Sequence, residues 1–175
     1  MSDAQGRGGE PVDPRLYEER LARMIRLAAR AFNRSLKLRL STEGVTFGQW
    51  IFLRILWRED GLSQRELSER AHLTEPTAHT ALSRMETMGL ITRRNVEGNR
   101  RRQHAFLTKE GWRLQGVLEP LAVEANELAV AGLDEEEQAV LRRALTTMIR
   151  NLERDEAEAA ERGRRVPPTR AQSAV

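Results

Sequence analysis

The densest chemistry in this chain lies between Arg93 and Lys109, where Arg93, Arg94, Arg100, Arg101, Arg102 and Lys109 stand against a single acid, Glu97, for a local net of +5. Guanidinium groups present planar forks of N–H donors that match phosphate and carboxylate oxygens, so this stretch is built to meet an anion. Just upstream, Thr74, Thr77, His79, Thr80, Ser83 and Arg84 supply short polar side chains and one cation. Those groups make a hydrogen-bonding surface rather than a reacting centre. The chain has no cysteine, which removes thiolate nucleophiles, disulfides and thiolate zinc sites together. It also lacks a P-loop, a Rossmann glycine pattern and a nucleophile elbow, and its three histidines, His72, His79 and His104, form no i, i+4 pair. No catalytic residue, metal or cofactor is expected.

Those side chains must be carried by a small frame. At 175 residues, with 39% hydrophobic, 31% charged and 5% aromatic residues, the composition favours charged amphipathic helices, in one compact domain or in one domain with extensions that complete a partner subunit. The basic segment has a counterpart in Asp134–Glu161, where nine acids oppose four arginines for a local net of −5. No apolar run approaches the roughly 18 residues of a membrane span, and the N-terminus lacks the apolar core of a signal peptide. The expectation is a soluble, cytoplasmic protein with no membrane partner. Gly6, Gly8, Gly9 and Pro11 at one end, and Gly163, Pro167 and Pro168 at the other, predict disordered tails over residues 1–13 and 163–175.

From Arg15 to Leu40, Leu21, Ile25, Ala28, Phe32 and Leu36 recur at spacings of three and four, which predicts a long amphipathic helix opened by Pro14. Four helix starts follow: Thr46 with Gln49, Ser63 with Glu66, Thr74 with Pro76 in the first turn, and Asp134 with Glu137. A further helix runs from Thr108 to Gly132. Only Gly89 to Thr108 does not read as helix. Leu90 to Arg94 and Gln103 to Thr108 are short strands around the turn residues Asn95, Gly98 and Asn99, giving a two-stranded basic hairpin.

Two short helices joined near Ala71-His72-Leu73, then a hairpin with an arginine-rich tip, make a helix-turn-helix followed by a wing. The second helix, Thr74 to Met88, would face inward with Ala78, Ala81, Leu82 and Met85 and present its polar residues to base edges in a DNA major groove. Arg100, Arg101 and Arg102 would enter the minor groove or clamp phosphates.

The stretch from about Thr46 to Gly111 resembles the winged helix-turn-helix of the MarR family of bacterial transcription regulators. The resemblance rests on SQRELSERAHLTEPTAHTALSRMETMGLITRR and NRRRQHAFLTKEG. Within them Met85-Glu86-Thr87-Met88-Gly89-Leu90 matches the family's usual end of the recognition helix, and Asn99-Arg100-Arg101, Leu107-Thr108 and Gly111 match its wing and exit. Two positions depart from the family pattern. Asn99 stands where an aspartate commonly braces the wing arginine, and His79-Thr80 replaces a small hydroxyl residue followed by arginine.

The expected architecture is therefore mainly α: a tail at 1–13, a first dimerisation helix and connection at 14–45, a winged helix-turn-helix at 46–108, C-terminal dimerisation helices at 109–162, and a tail at 163–175. The resemblance implies a homodimer on double-stranded operator DNA, with palindromic half-sites about 10 bp apart. The predicted DNA-contacting residues are Ser63, Gln64, Thr74, Thr77, His79, Thr80, Ser83, Arg84, Arg94, Asn99, Arg100, Arg101 and Arg102. The resemblance also implies a repressor released by a small aromatic or amphipathic ligand. Phe47, Trp50 and Arg54 would suit an aromatic carboxylate or thioester effector; core packing of Trp50 and an ion pair for Arg54 are the competing readings. The alternative functions are a helical protein–protein interaction module and a nonspecific basic DNA-binding protein.

Overall fold

The amphipathic period of the N-terminal region produces α1, Leu21–Thr42, in the computed structural model, which describes residues 20–96 and 99–164. The expected start at Pro14 and Arg15 lies outside the described residues. Helix α1 is amphipathic, yet Leu40 is its only fully buried side chain within one chain. Helix α2, Phe47–Arg58, starts at a two-sided capping box in which the Thr46 hydroxyl and the Gln49 side chain each satisfy the other's backbone N–H. The same reciprocal box, Ser63 with Glu66, opens α3, Gln64–Arg70.

The turn after α3 reverses direction at His72, whose φ of 52° lies in the left-handed region. Histidine tolerates this conformation better than β-branched residues do. Helix α4, Glu75–Thr87, follows. Thr74 stands at its N-cap position but makes no capping bond, contrary to the sequence expectation; its hydroxyl lies 2.9 Å from that of Thr77 instead. Pro76 in the first turn costs nothing, because N–H groups there lack helical partners.

The expected hairpin is present as β2, Ile91–Val96, and β3, Asn99–Leu107, with a shift in register between Asn95 and Val96. A third strand joins it. β1, Leu62–Ser63, pairs antiparallel with β3 through Leu62 opposite Ala105 and Ser63 opposite His104, giving the order β1-β3-β2. Two residues are too few to show a period of two, so this strand has no signature in the sequence.

The single helix expected from Thr108 to Gly132 is instead two: α5, Lys109–Arg113, and α6, Gln115–Ala129. The cause is a long-range contact. The buried indole of Trp57 donates its Nε1–H to the Gly111 carbonyl at 2.9 Å, taking an acceptor that a continuous helix would use four residues on. The last helix, α7, Glu135–Glu161, starts at the Asp134–Glu137 box.

The core lies between α2, α3, α4, the sheet and α6, around Phe52, Leu53, Leu56, Leu67, Leu82, Met85, Ile91 and Leu118. Trp50 and Trp57 meet edge to face with centroids 5.7 Å apart. Gly111 is required by close packing, since a Cβ there would sit 2.2 Å from the Leu90 carbonyl oxygen. Helix α7 makes no extensive contact with its own chain among the described residues.

Candidate nucleic-acid interface

Helix α4 divides into two faces. Ala78, Leu82 and Met85 are buried beneath it and Ala81 is half-buried, while Thr74, Thr77, His79, Thr80 and Arg84 are exposed and Ser83 is half-buried. At 13 residues the helix is about 20 Å long, enough to lie in a major groove. Its hydroxyls are partly engaged: Thr80 donates to the Pro76 carbonyl at 3.0 Å, and Thr74 bonds Thr77.

The far end of α4 is fixed to the rest of the domain. The Gln49 amide, itself part of the α2 cap, donates to the Met88 sulfur at 3.0 Å. The Thr108 hydroxyl donates to the Gly89 carbonyl at 2.6 Å and accepts from the Gly111 N–H. Glu86 reaches β2, where Arg93 gives it two guanidinium bonds of 2.8 and 2.7 Å and a backbone N–H at 3.0 Å. The guanidinium bond is the main cause that holds the Glu86 carboxyl below its ordinary value, with the backbone bond adding to it against partial desolvation. Glu86 and Arg93 thus hinge the wing to the recognition helix. Sequence spacing did not reveal this pair, because it joins a helix to a strand across a turn.

Arg94 is exposed, with its guanidinium 4.1 Å above the Phe106 ring. Stacking orients the fork and leaves its edge N–H groups outward for an anion. Phe106 in turn fills the space beside Gly61, whose φ of 78° and missing Cβ let the ring approach. His104 donates its Nδ1–H to the Gly61 carbonyl at 2.8 Å, since a carbonyl can only accept. These contacts seat the base of the hairpin. Asn99, Arg100, Arg101 and Arg102 lie on β3, and their side chains fall outside the described residues.

Two of the residues expected to contact DNA are less accessible than the rest. Ser63 is buried, and its hydroxyl is held by Glu66 at 2.6 Å, so its side chain is withdrawn from the exposed set. This bond is also the largest cause keeping the Glu66 carboxyl below its ordinary value. Gln64 is half-buried in the first turn of α3.

The aromatic group of α2 is split by the fold. Trp50 is 3% exposed and belongs to the core, whereas Phe47 is half-buried under Lys37, whose ammonium lies 5.8 Å from the ring. Arg54 sits 5.5 Å over the Trp50 ring and makes no ion pair among the described residues. It lines a cleft of about 230 Å³ with Ile51, Ile55, Arg58, Arg70 and Ala71, which includes neither Phe47 nor Trp50.

The sequence profile of the MarR family matches residues 43–102, the segment from the α1–α2 connection to the wing. The HTH-type transcriptional regulator TtmR of Methylorubrum extorquens is 30% identical over 159 residues, which cover 91% of this chain and 78% of that protein. The solved transcriptional regulator PA3341 is 31% identical, with a TM-score of 0.68 over 77% of this chain and 99% of its own. A MarR-family protein of Mycobacterium tuberculosis, solved with salicylic acid, is 25% identical with a TM-score of 0.62, over 74% of this chain and 96% of its own. With the recognition helix, the hinged wing and these relatives in agreement, the chain belongs to the MarR family of winged helix-turn-helix transcription regulators, DNA-binding proteins and not enzymes.

Proposed function

We propose that the protein is a homodimeric repressor that binds a palindromic operator in the cytoplasm and is released from it by a small aromatic acid. The observation that carries this reading is the division of α4, with an apolar face buried on the domain and Thr77, His79, Thr80 and Arg84 exposed beside a hairpin rich in arginine. In this reading α4 enters the major groove, Gln64 and Arg94 meet the phosphates, and Asn99, Arg100, Arg101 and Arg102 extend the contact along the adjacent groove. Residues 46–108 form the DNA-binding unit. Residues 14–45 and 109–162 form the dimerisation unit.

Surface that one chain leaves uncovered supports the dimer. None of the residues of α7 is buried, and Ile149 and Leu152 are 56% and 61% exposed in one chain. An amphipathic helix of this length needs packing against another element to stand in water. Its charge supports a second copy as the partner: α7 has eight acids and four arginines, while α1 has six basic residues and no acid. Apolar residues of α1, including Leu21, Met24, Leu27 and Phe32, are exposed beside that positive charge. Helix α7 of one protomer would then lie against α1 of its partner, burying both stripes.

Within the proposed effector response, Arg54 is the cation of choice, because it makes no ion pair among the described residues and lines an open cleft with Ile51 and Ile55. Trp50 would act from behind, as the ring that positions it. The mycobacterial relative solved with salicylic acid supports an aromatic carboxylate as the first class to try.

Footprinting on the gene's own upstream region tests the function. Two protected half-sites about 10 bp apart, lost on adding salicylate or another aromatic acid, are expected. Protection without two-fold symmetry, or a footprint indifferent to every aromatic acid and thioester tried, would contradict the palindrome or the ligand release respectively.

A further inference from the structure

The exposed tip of α4 carries a carboxylate that DNA binding alone does not explain. Glu75 is the first residue of the helix and is exposed, and no hydrogen bond or ion pair engages its side chain among the described residues. Arg65 feels its charge, but that guanidinium is bonded to Glu69 at 2.8 Å. Of its neighbours, Thr74 and Thr77 bond each other and Thr80 bonds the Pro76 carbonyl. What remains free at the tip is Glu75, with exposed His79 one helical turn further on.

A carboxylate carried toward a polyanion opposes binding through like-charge repulsion, and the opposition is offset only where a donor meets it. In the major groove guanine shows two acceptors and thymine shows one, and both repel a carboxylate. Adenine shows an amine beside the N7 acceptor. Cytosine alone presents its N4 amine without an acceptor next to it on the same base. We propose that Glu75 is a specificity-determining residue whose carboxylate accepts a hydrogen bond from the N4 amine of one cytosine in each half-site and disfavours the other three bases there. This rests on the reading of α4 as the recognition helix. An acid in a first turn also suits the helix dipole, but that interaction exists in the free protein and carries no base preference.

The test takes the full-length protein and its Glu75→Gln, Glu75→Ala, His79→Ala and Arg84→Ala variants through selection from a random duplex pool. Anisotropy on operators changed one base pair at a time then follows. The wild type should prefer cytosine at one position of each half-site by about tenfold or more. Glu75→Gln should move that preference to adenine, whose N6 and N7 match the glutamine amide, and Glu75→Ala should level the four bases. Both variants should bind random duplex more tightly than the wild type, because a negative charge has gone from the interface. Base profiles unchanged in both Glu75 variants, while His79→Ala or Arg84→Ala shifts them, would overturn the role of Glu75 alone. Profiles unchanged in all four variants would overturn the recognition-helix reading with it. Equal weakening on every sequence, with a lowered melting temperature, would reduce Glu75 to a helix-stabilising acid and overturn the proposal.

Discussion

In the proposed function, Arg101 and Glu86 divide the work of the wing between affinity and positioning. Arg101 belongs to the run of three arginines and, as a phosphate contact, would contribute affinity without sequence information. Arg101→Ala should weaken binding to all duplexes alike and lower the slope of log affinity against log salt by about one unit. An unchanged slope and affinity would take Arg101 out of the interface. Glu86 acts through Arg93. Because its folded carboxyl titrates below the ordinary value of 4.5, its contribution to stability is present above that pH and is lost as the pH falls through the lower folded value. Urea denaturation should therefore show the wild type losing stability more steeply than Glu86→Gln on acidification below pH 4.5. Parallel curves would show that the pair contributes nothing to the fold. At this scale the sequence exposed the residue types well: the arginine run, the polar side of α4 and the family motif are all visible in it. It could not show that Arg93 is already engaged by Glu86, because that partner is fixed by the turn geometry that brings a helix and a strand together.

The elements whose start is written in adjacent residues were the most legible. Three capping boxes, Thr46–Gln49, Ser63–Glu66 and Asp134–Glu137, open α2, α3 and α7 as their side chains require. The elements set by distant contacts were not. β1 exists because Leu62 and Ser63 find β3, and α5 ends because Trp57 reaches Gly111 across the core. Trp57→Phe keeps most of the ring volume and removes the donor, leaving the Gly111 carbonyl buried without its partner. A loss of about 1–3 kcal/mol in urea denaturation is expected, and no change would show that water or a helical N–H replaces the indole. Gly111→Ala is a harsher change at the same junction, since the new Cβ would meet backbone 2.2 Å away. It should yield little folded protein, and a variant with wild-type melting behaviour would refute that packing.

At the scale of the whole molecule, the proposed dimer would complete what one chain leaves open. The sequence shows the apolar stripes of α1 and α7, and the fold leaves α7 uncovered within the chain and α1 covered only in part, where it packs along α6. Ile149→Asp and Leu152→Asp together would place two charges in the proposed seam, and sedimentation should then report a species of the chain's own 20.0 kDa in place of a dimer. A double variant that stays dimeric would move the interface elsewhere. In the proposed dimer, one wing and one helix would span a single half-site, and two-fold symmetry would double the sequence read.

The most direct test of a dimeric, sequence-reading regulator is fluorescence anisotropy of the purified protein on the duplex recovered by selection and on a scrambled duplex, each titrated at several salt concentrations. Saturation at two chains per duplex is predicted, with the selected sequence bound about a thousandfold or more tightly and both affinities falling steeply with salt. Equal, weak binding to the two duplexes would contradict the account and leave a protein with this fold that does not read sequence.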